Sequence, residues 1–428
     1  MQQPEPITAN SNSTPLENKH VEETTCCIVG GGPAGVILAY MLARQGIAVT
    51  LLEAHMDFDR EFRGDTIHPS VLNILDELGL AERLLRFRHA KVHQLSGQLA
   101  NGTLVVVDFR RLKIKYPYIA MLPQVDFLNF MIEETQRYPS FHLVMGAQVD
   151  ELIEENGSVR GVRYRGPDGR REVRAVLTVG ADGRFSRLRK LAGFEPIKTS
   201  PPMDVLWFRL SACPADPQEP FGRIASPRIL IVLNRSDYLQ AGYVIAKGGY
   251  QQVRAAGLEK FRQGIAEAVP LLAGRVNEIK EWKQVSVLSV ESSRLPRWYR
   301  PGLLLIGDAA HVMSPVGGVG INYAIQDAVV TANLLAARLK YGVLELRDLA
   351  RVQRQREWPT RIIQAIQTFL QNQILARALA AEKPPSVPPL LKFLTHVPII
   401  QNIPARIIGF GFNPPHVKGL APSTRHAR

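Results

Sequence analysis

Residues 25–53 read TCCIVGGGPAGVILAYMLARQGIAVTLLE. An apolar, β-prone run (Thr25–Val29) is followed by a glycine-rich turn and then by a run with a helical pattern (Val36–Gln45). A second apolar run, Ile47–Leu52, completes the stretch. Strand, glycine turn, helix and strand in this order predict the first half of a dinucleotide-binding α/β domain.

The glycine turn has the spacing G-x-G-x-x-G, and each glycine has a physical role. Gly30 allows the tight turn, Gly32 lets the backbone approach a pyrophosphate, and Gly35 lets the helix pack against the strand. Glu53 ends the second strand, where a carboxylate accepts hydrogen bonds from an adenosine ribose, which favours FAD or NAD over a 2′-phosphorylated nucleotide. The predicted dinucleotide contacts in this stretch are Gly30, Gly32, Pro33, Ala34, Gly35 and Glu53.

Composition limits the class of protein. The chain has 428 residues, 46% of them hydrophobic and 21% charged, which suits a globular protein with a large core. Three cysteines cannot form a disulfide framework, so we expect reduced thiols and a cytoplasmic protein. Thr24–Ala43 has no charge, but its central glycines predict a strand, a turn and a helix and not a membrane span. No CxxC or HExxH spacing occurs, and no metal site is predicted.

Two later stretches carry further turns of the same kind. Residues 176–189 read VLTVGADGRFSRLR, a strand that ends in an Asp-Gly turn before a helix. Residues 303–327 read LLLIGDAAHVMSPVGGVGINYAIQD, in which a Gly-Asp pair follows a buried strand and a glycine loop precedes a helix. Open α/β sheets bind ligands at the carboxyl ends of their strands, so this loop directs backbone N–H groups and a helix N-terminus at a bound ligand.

The ordered set of glycine fingerprint, Asp-Gly turn and GDAAHVMSPVGGVGINYAIQDA resembles the class A FAD-dependent aromatic hydroxylases, of which para-hydroxybenzoate hydroxylase is the type protein. The resemblance covers residues 25 to about 340. Residues 307–320 are called the flavin loop below. The resemblance implies that Asp308 of this loop binds the ribityl–pyrophosphate region of FAD, that Gly317 and Gly318 face the flavin pyrimidine, and that Pro315 borders the reactive C4a position. The resemblance also implies FAD contacts by Arg63, Gln124, Asp182 and Gly183. In the flavin loop and at the start of the following helix, the predicted FAD contacts are Asp308, Gly317, Gly318, Gly320 and Ile321.

The predicted fold is α/β. A Rossmann-type, GR2-like FAD-binding domain (24–85, 117–199 and 284–346) is interleaved with a substrate-side β-sheet domain (86–116 and 200–283). A flexible tail (1–23) precedes them, and a basic C-terminal segment of helices (347–428) follows, with a break expected near Pro359. Within the substrate-side sheet, four aromatic residues could line a pocket, although plain sheet packing is the commoner role: Trp207, Phe208, Tyr238 and Tyr243.

The resemblance implies a monooxygenase that uses NADPH or NADH and O2. A C4a-hydroperoxyflavin would hydroxylate or epoxidise an aromatic, polyketide-like or other hydrophobic small molecule. The alternatives are an FAD-dependent reductase or dehydrogenase of a prenyl- or lipid-like substrate, and a flavin-binding protein without turnover. Isolated tryptophans disfavour a halogenase, whose Trp-x-Trp-x-Ile-Pro motif is missing. We expect a monomer or a homodimer, and the sequence offers no residue as a catalytic base.

Basic charge is concentrated at the C-terminus. Residues 347–428 contain 12 Lys and Arg against 3 Asp and Glu, so they hold 9 of the net 13 positive charges. The remaining 346 residues are nearly balanced, which argues against nucleic acid as a partner. The C-terminal segment is predicted to pack over the FAD-binding domain, with docking on a membrane surface as the alternative.

Overall fold

A computed structural model describes residues 21–59, 65–99, 101–225, 228–380 and 398–418. The strands in these residues are β1 Val21–Val29, β2 Val49–Glu53, β3 Thr66–Ile67, β4 Ala90–Val92, β5 Gln94–Leu99, β6 Gly102–Asp108, β7 Ile119–Met121, β8 Phe141–Met145, β9 Gln148–Glu155, β10 Ser158–Gly166, β11 Gly169–Gly180, β12 Ile197–Thr199, β13 Met203–Ser211, β14 Phe221–Ala225, β15 Arg228–Asn234, β16 Tyr238–Ala246, β17 Ser286–Leu288, β18 Ser292–Arg294, β19 Tyr299–Arg300, β20 Leu303–Leu305 and β21 His311–Val312.

The same residues contain eleven α-helices. They are α1 Pro33–Ala43, α2 Pro69–Glu77, α3 Ala81–Leu84, α4 Gln124–Thr135, α5 Arg187–Leu191, α6 Tyr250–Ala255, α7 Leu258–Ala268, α8 Gly320–Lys340, α9 Leu346–Leu370, α10 Ala376–Ala380 and α11 Pro398–Phe410. A π-helical turn, Gln371–Leu375, joins α9 to α10. No helix among the described residues combines the length and the apolarity that crossing a bilayer requires.

A mainly parallel sheet forms the larger core, with the strand order β19-β20-β11-β1-β2-β8. Strands β20, β11, β1, β2 and β8 run parallel, and β19 is antiparallel to β20. Val29 pairs with both Gly180 and Leu52, and Gly180 pairs with Leu305. Four strands therefore end at one level, and the turns that follow them share one edge of the sheet.

A second sheet has seven strands in the order β17-β13-β16-β15-β14-β5-β6. Its pairs are antiparallel except β14 with β5. Alternate residues of a strand point to opposite faces. One face, with Phe208 and Leu230, packs on α7, while the other, with Val205 and Ile229, packs on α10.

Two boundaries differ from the sequence prediction. Strand β1 begins at Val21, inside the predicted tail, because its first residues pair with Glu172–Ala175 of β11. The expected break near Pro359 is wrong, since α9 continues through this proline to Leu370. Because proline has no backbone N–H, Pro359 removes one hydrogen bond from the helix. Buried contacts of Arg356 before it and Gln364 after it hold the helix in place.

Candidate functional site

The glycine fingerprint joins β1 to α1 and depends on missing side chains. Gly30 has a φ of +107°, and a Cβ atom there would lie 2.4 Å from the carbonyl oxygen of Ala181. A Cβ at Gly35 would lie 1.9 Å from the carbonyl oxygen of Gly30. A Cβ at Gly32, in contrast, would meet no described atom within 4 Å, and Pro33 opens the helix beside it. The turn is thus tight against the protein and open at Gly32, as a bound pyrophosphate requires.

Glu53 ends β2 at the same edge of the sheet. Its Oε2 accepts a hydrogen bond from the N–H of Gly31 at 2.9 Å, and its Oε1 lies 2.7 Å from Nδ1 of His55. The carboxylate is therefore attached to the fingerprint turn itself. This position suits an acceptor for ribose hydroxyls, since a carboxylate has lone pairs for more than one donor on each oxygen.

The Asp-Gly turn follows β11 beside the fingerprint. Asp182 accepts hydrogen bonds from Oγ of Ser186 and from the N–H groups of Arg187 and Leu188, at 2.6, 2.6 and 3.0 Å. Burial raises the pKa of Asp182, and these hydrogen bonds act in the opposite direction. Gly183 has a φ of +78°, which favours glycine in this turn. The carboxylate of Asp182 thus holds the turn and the start of α5.

The Gly-Asp turn of the flavin loop packs against both ligand-facing helices. Gly307 has a φ of +59°, and a Cβ there would lie 3.5 Å from Cβ of Ala34 and 3.2 Å from Cβ of Ala324. Asp308 follows Gly307 in the same turn, between β20 and β21. Arg189, which the sequence interpretation missed, donates from Nη1 to the carbonyl oxygen of Ala309 at 3.0 Å and so ties α5 to the flavin loop.

The second half of the flavin loop consists of two left-handed glycines before α8. Gly317 and Gly318 have φ angles of +82° and +64°. Thr66 donates from Oγ1 to the carbonyl oxygen of Gly318 at 3.2 Å. A Cβ at Gly317 would lie 2.8 Å from Cδ1 of Ile408 in α11. Pro315 precedes these glycines, and Gly320 and Ile321 form the first turn of α8.

A buried ion network lies behind the flavin loop. Asp327 accepts from the N–H of Gly307 at 3.0 Å and from Nε of Arg356 at 2.8 Å, and its Oδ2 lies 2.6 Å from Nε2 of His311. Burial raises the pKa of Asp327, but the charges and hydrogen bonds of His311 and Arg356 lower it by more, so the net pKa is below the usual value. The ring of Trp298 packs on the ring of His311, with the two ring centroids 4.9 Å apart. His311 thus helps to hold the flavin loop in place through Asp327.

Three glutamines of the C-terminal helices hold the flavin loop from the side, and we call Gln364, Gln367 and Gln371 the glutamine ladder. Nε2 of Gln364 donates to the carbonyl oxygen of Val312 at 3.0 Å. Nε2 of Gln367 donates to the carbonyl oxygens of Ser314 and Val316 at 2.9 and 2.8 Å. Gln371 bonds to the Ser314 hydroxyl. Their spacing of three and four residues puts them on one helix face, but the sequence offers no sign of their partners.

The predicted site residues fall into three groups. The fingerprint, Glu53, the Asp-Gly turn and the flavin loop meet at one edge of the parallel sheet. Gln124 begins α4, where its N–H donates to Oδ1 of Asp65 at 3.3 Å. Arg63 lies outside the described residues. The open cradle at Gly32 and the left-handed glycines of the loop fit an extended dinucleotide such as FAD.

A model of the FAD binding domain family matches residues 23–358. The chain belongs to the class A FAD-dependent aromatic hydroxylases. It is 37% identical over 378 residues to 6-methylpretetramide 4-monooxygenase from Streptomyces rimosus. The aligned region covers 86% of this chain and 88% of that relative. The predicted family, fold class and enzyme class are confirmed, and the chain is an FAD-dependent monooxygenase.

Solved structures agree on the fold. Anhydrotetracycline hydroxylase from Streptomyces rimosus has a TM-score of 0.73 at 23% identity, over 90% of this chain and 76% of that one. The p-nitrophenol 4-monooxygenase from Pseudomonas putida DLL-E4 has a TM-score of 0.72 at 20% identity, over 89% of this chain and 96% of that one. At these identities the two structures support the fold alone.

Proposed function

We propose that this monooxygenase uses NADPH or NADH and O2 to hydroxylate or epoxidise an aromatic, polyketide-like or other hydrophobic small molecule. The observation that carries the proposal is an apolar sheet face directed at the flavin loop. Trp207 and Ile231 of the seven-stranded sheet border the same apolar cluster as Val316 of the loop. The relative named 6-methylpretetramide 4-monooxygenase, at 37% identity, supports a polyketide-like substrate.

FAD, when bound, supplies electron transfer from the nicotinamide and activation of O2. The chain's own residues bind and orient it. Gly32 and the start of α1 offer N–H groups to the pyrophosphate, and Glu53 accepts from the ribose. The backbone of Gly317 and Gly318, with the N-terminus of α8, would hold the pyrimidine side of the flavin and favour negative charge there. Pro315, directly before the turn that holds these glycines, would border the reacting side of the ring.

Water must be kept from such a site, because activated oxygen that is exposed to water decays before the substrate is oxygenated. Helix α11 supplies cover, since Ile408 lies against Gly317 and shares an apolar cluster with Met313 and Val319. Gln326 of α8 donates from Nε2 to the carbonyl oxygen of Phe410 at 3.0 Å. These contacts hold the end of α11 over the flavin loop.

The described part of the C-terminal segment is anchored to the FAD-binding domain, and we infer that this packing is its role. Nδ2 of Asn333 donates to the carbonyl oxygen of His416 at 2.7 Å, and Glu77 accepts from the N–H of Val417 at 2.7 Å. Membrane docking is the competing interpretation. Flotation with anionic liposomes, comparing the full chain with a variant that ends at Ala381, separates them. Failure of both to float supports packing alone, and flotation of the full chain only supports docking.

The proposed activity is tested with the purified holoenzyme. We expect a visible flavin spectrum, substrate-stimulated oxidation of NADPH or NADH, matched O2 uptake, and a product one oxygen atom heavier. Isotopically labelled O2 must place its label in the product, because the second oxygen atom leaves as water. Product formation under anaerobic conditions would instead indicate the reductase or dehydrogenase alternative. A protein that never takes up FAD would contradict both.

A further inference from the structure

A row of glycines crosses the sheet face that is directed at the flavin loop. The backbone register places Gly242 of β16 beside Ile231 of β15, Ile231 beside Gly222 of β14, and Gly222 beside Gly97 of β5. Paired residues on neighbouring strands point to the same face. Trp207 of β13 and Leu104 of β6 are the next positions on either side of these four. Three of these six positions therefore have no side chain on this face.

Backbone conformation does not explain these glycines. None of Gly97, Gly222 and Gly242 has a positive φ, so any residue could adopt their conformations. Glycine weakens the interior of a strand and often marks a place where a ligand or another backbone approaches closely. The missing side chains are therefore the feature that needs a reason.

Packing within the protein accounts for one of the three. A Cβ at Gly242 would lie 2.9 Å from the ring of Trp207, so this glycine makes room for the indole. A Cβ at Gly222 would meet only backbone oxygens at 3.9 Å, and one at Gly97 would meet only Cδ1 of Leu99 at 3.9 Å. Among the described residues, no side chain comes within 4 Å of a Cβ at Gly222 and only Leu99 does so at Gly97, although both glycines are partly buried.

Gly222 and Gly97 are bordered by apolar side chains and lie on the face that is directed at the flavin loop. Ile224 and Ile231 pack against the same apolar cluster as Val316 of the loop. Leu95 and Leu233 pack against the same apolar cluster as Ile408, and Ile408 in turn lies against Gly317. Gly222 and Gly97 thus form a flat floor whose walls join the part of the loop beside the proposed reaction position.

We propose that Gly222 and Gly97 form the floor of the substrate site and select a flat, fused-ring aromatic substrate. Strands in a sheet lie about 4.8 Å apart, so Ile231 and Leu104, three strands apart, stand about 14 Å from each other. A planar molecule of several fused rings spans this floor and packs on bare backbone. A single ring leaves part of it uncovered. Trp207 bounds the floor beyond Ile231 with an aromatic surface.

This inference rests on the proposed function and is tested separately from turnover. Oxidised holoenzyme is titrated with phenol, naphthol, alizarin and anhydrotetracycline, which have one to four rings, and binding is read from the change in the flavin visible spectrum. We expect the wild type to bind the compounds of three and four rings at least about 10-fold more tightly than phenol. Weaker or equal binding of these two compounds would overturn the inference.

The variants are G222V and G97V, with S96V as the matched control. Ser96 is the neighbour of Gly97 and points to the opposite face, so valine there adds a branched side chain away from the floor. We expect both glycine variants to retain FAD and to lose at least about 10-fold in affinity for alizarin and anhydrotetracycline. Phenol binding and the S96V control should change by less than about 2-fold.

The outcomes distinguish the floor from the reaction. Unchanged affinity in G222V and G97V, or equal losses in S96V, would overturn the floor even if the wild type oxygenates a substrate. Binding that depends on the glycines without oxygen insertion would leave the floor standing and contradict the proposed monooxygenase activity. Because G222A adds only one methyl group, it should weaken binding less than G222V, and the reverse order would also contradict the inference.

Discussion

Nδ1 of His68 lies 2.8 Å from the carbonyl oxygen of Ile408, across 340 positions of sequence. The same imidazole directs Nε2 at Gly318, where a Cβ would lie 3.5 Å away. His68 therefore connects the start of α2, the flavin loop and α11. Because a carbonyl oxygen only accepts hydrogen bonds, Nδ1 must carry the proton that is shared with Ile408.

His68 should make stability depend on pH. Burial lowers its pKa from 6.5 to about 4. Between these values the unfolded chain binds the proton and the folded chain does not, so the free energy of unfolding falls as pH decreases. About 3 kcal/mol should be lost by pH 4, and none above the unfolded pKa. Denaturant unfolding of the wild type and H68N across this range measures it. The Asn variant should show a smaller loss, and parallel curves would contradict the prediction.

Gln367 should position the flavin loop. In Q367L the carbonyl oxygens of Ser314 and Val316 lose a buried donor, which costs about 1–3 kcal/mol for each unsatisfied group. We expect FAD to be released at lower temperature and the flavin midpoint potential to change, since the loop backbone is proposed to lie against the flavin ring. Fluorescence of released FAD and a redox titration measure both. The control is Q373L, because Gln373 is exposed. If Q373L behaves like Q367L, the ladder has no special role.

The buried pair of Asp327 and Arg356 should be coupled. D327N leaves the Arg356 guanidinium, which is fully buried, without its counter-charge, and the expected cost is about 3–5 kcal/mol. Replacing both residues, as D327N with R356M, removes the uncompensated charge, so the double variant should be more stable than the sum of the single losses implies. A double-mutant cycle by denaturant unfolding provides the measurement. Additive losses would show that the two side chains act independently.

Glu53 should contribute to FAD affinity. E53A removes the acceptor proposed for the ribose hydroxyls, and hydrogen bonds to charged groups contribute about 1.5–3 kcal/mol, which corresponds to roughly 10- to 100-fold in Kd. Quenching of FAD fluorescence during reconstitution of the apoprotein measures the change. E195Q is the control, because Glu195 is an exposed acid outside the fingerprint sequence. Equal affinities of E53A and E195Q would rule out a ribose contact.

Local motifs made the dinucleotide half of the fold predictable. Strand β1, the turn at Gly30 and helix α1 follow from apolar runs and glycine spacing within a few residues of one another. The shared edge of the four strand ends also follows, because parallel strands place their carboxyl ends together. The sequence therefore determined the cofactor class and the turns that meet at this edge of the sheet.

Tertiary structure alone decided what supports and covers that site. The sequence shows that Gln364, Gln367 and Gln371 share a helix face, but not that this face meets the flavin loop more than 50 residues earlier in the chain. It shows Gly97 and Gly222 as isolated glycines, and only strand pairing makes them neighbours. A periodic pattern states which face of an element is buried, whereas its partner depends on the packing of distant elements, which no local pattern encodes.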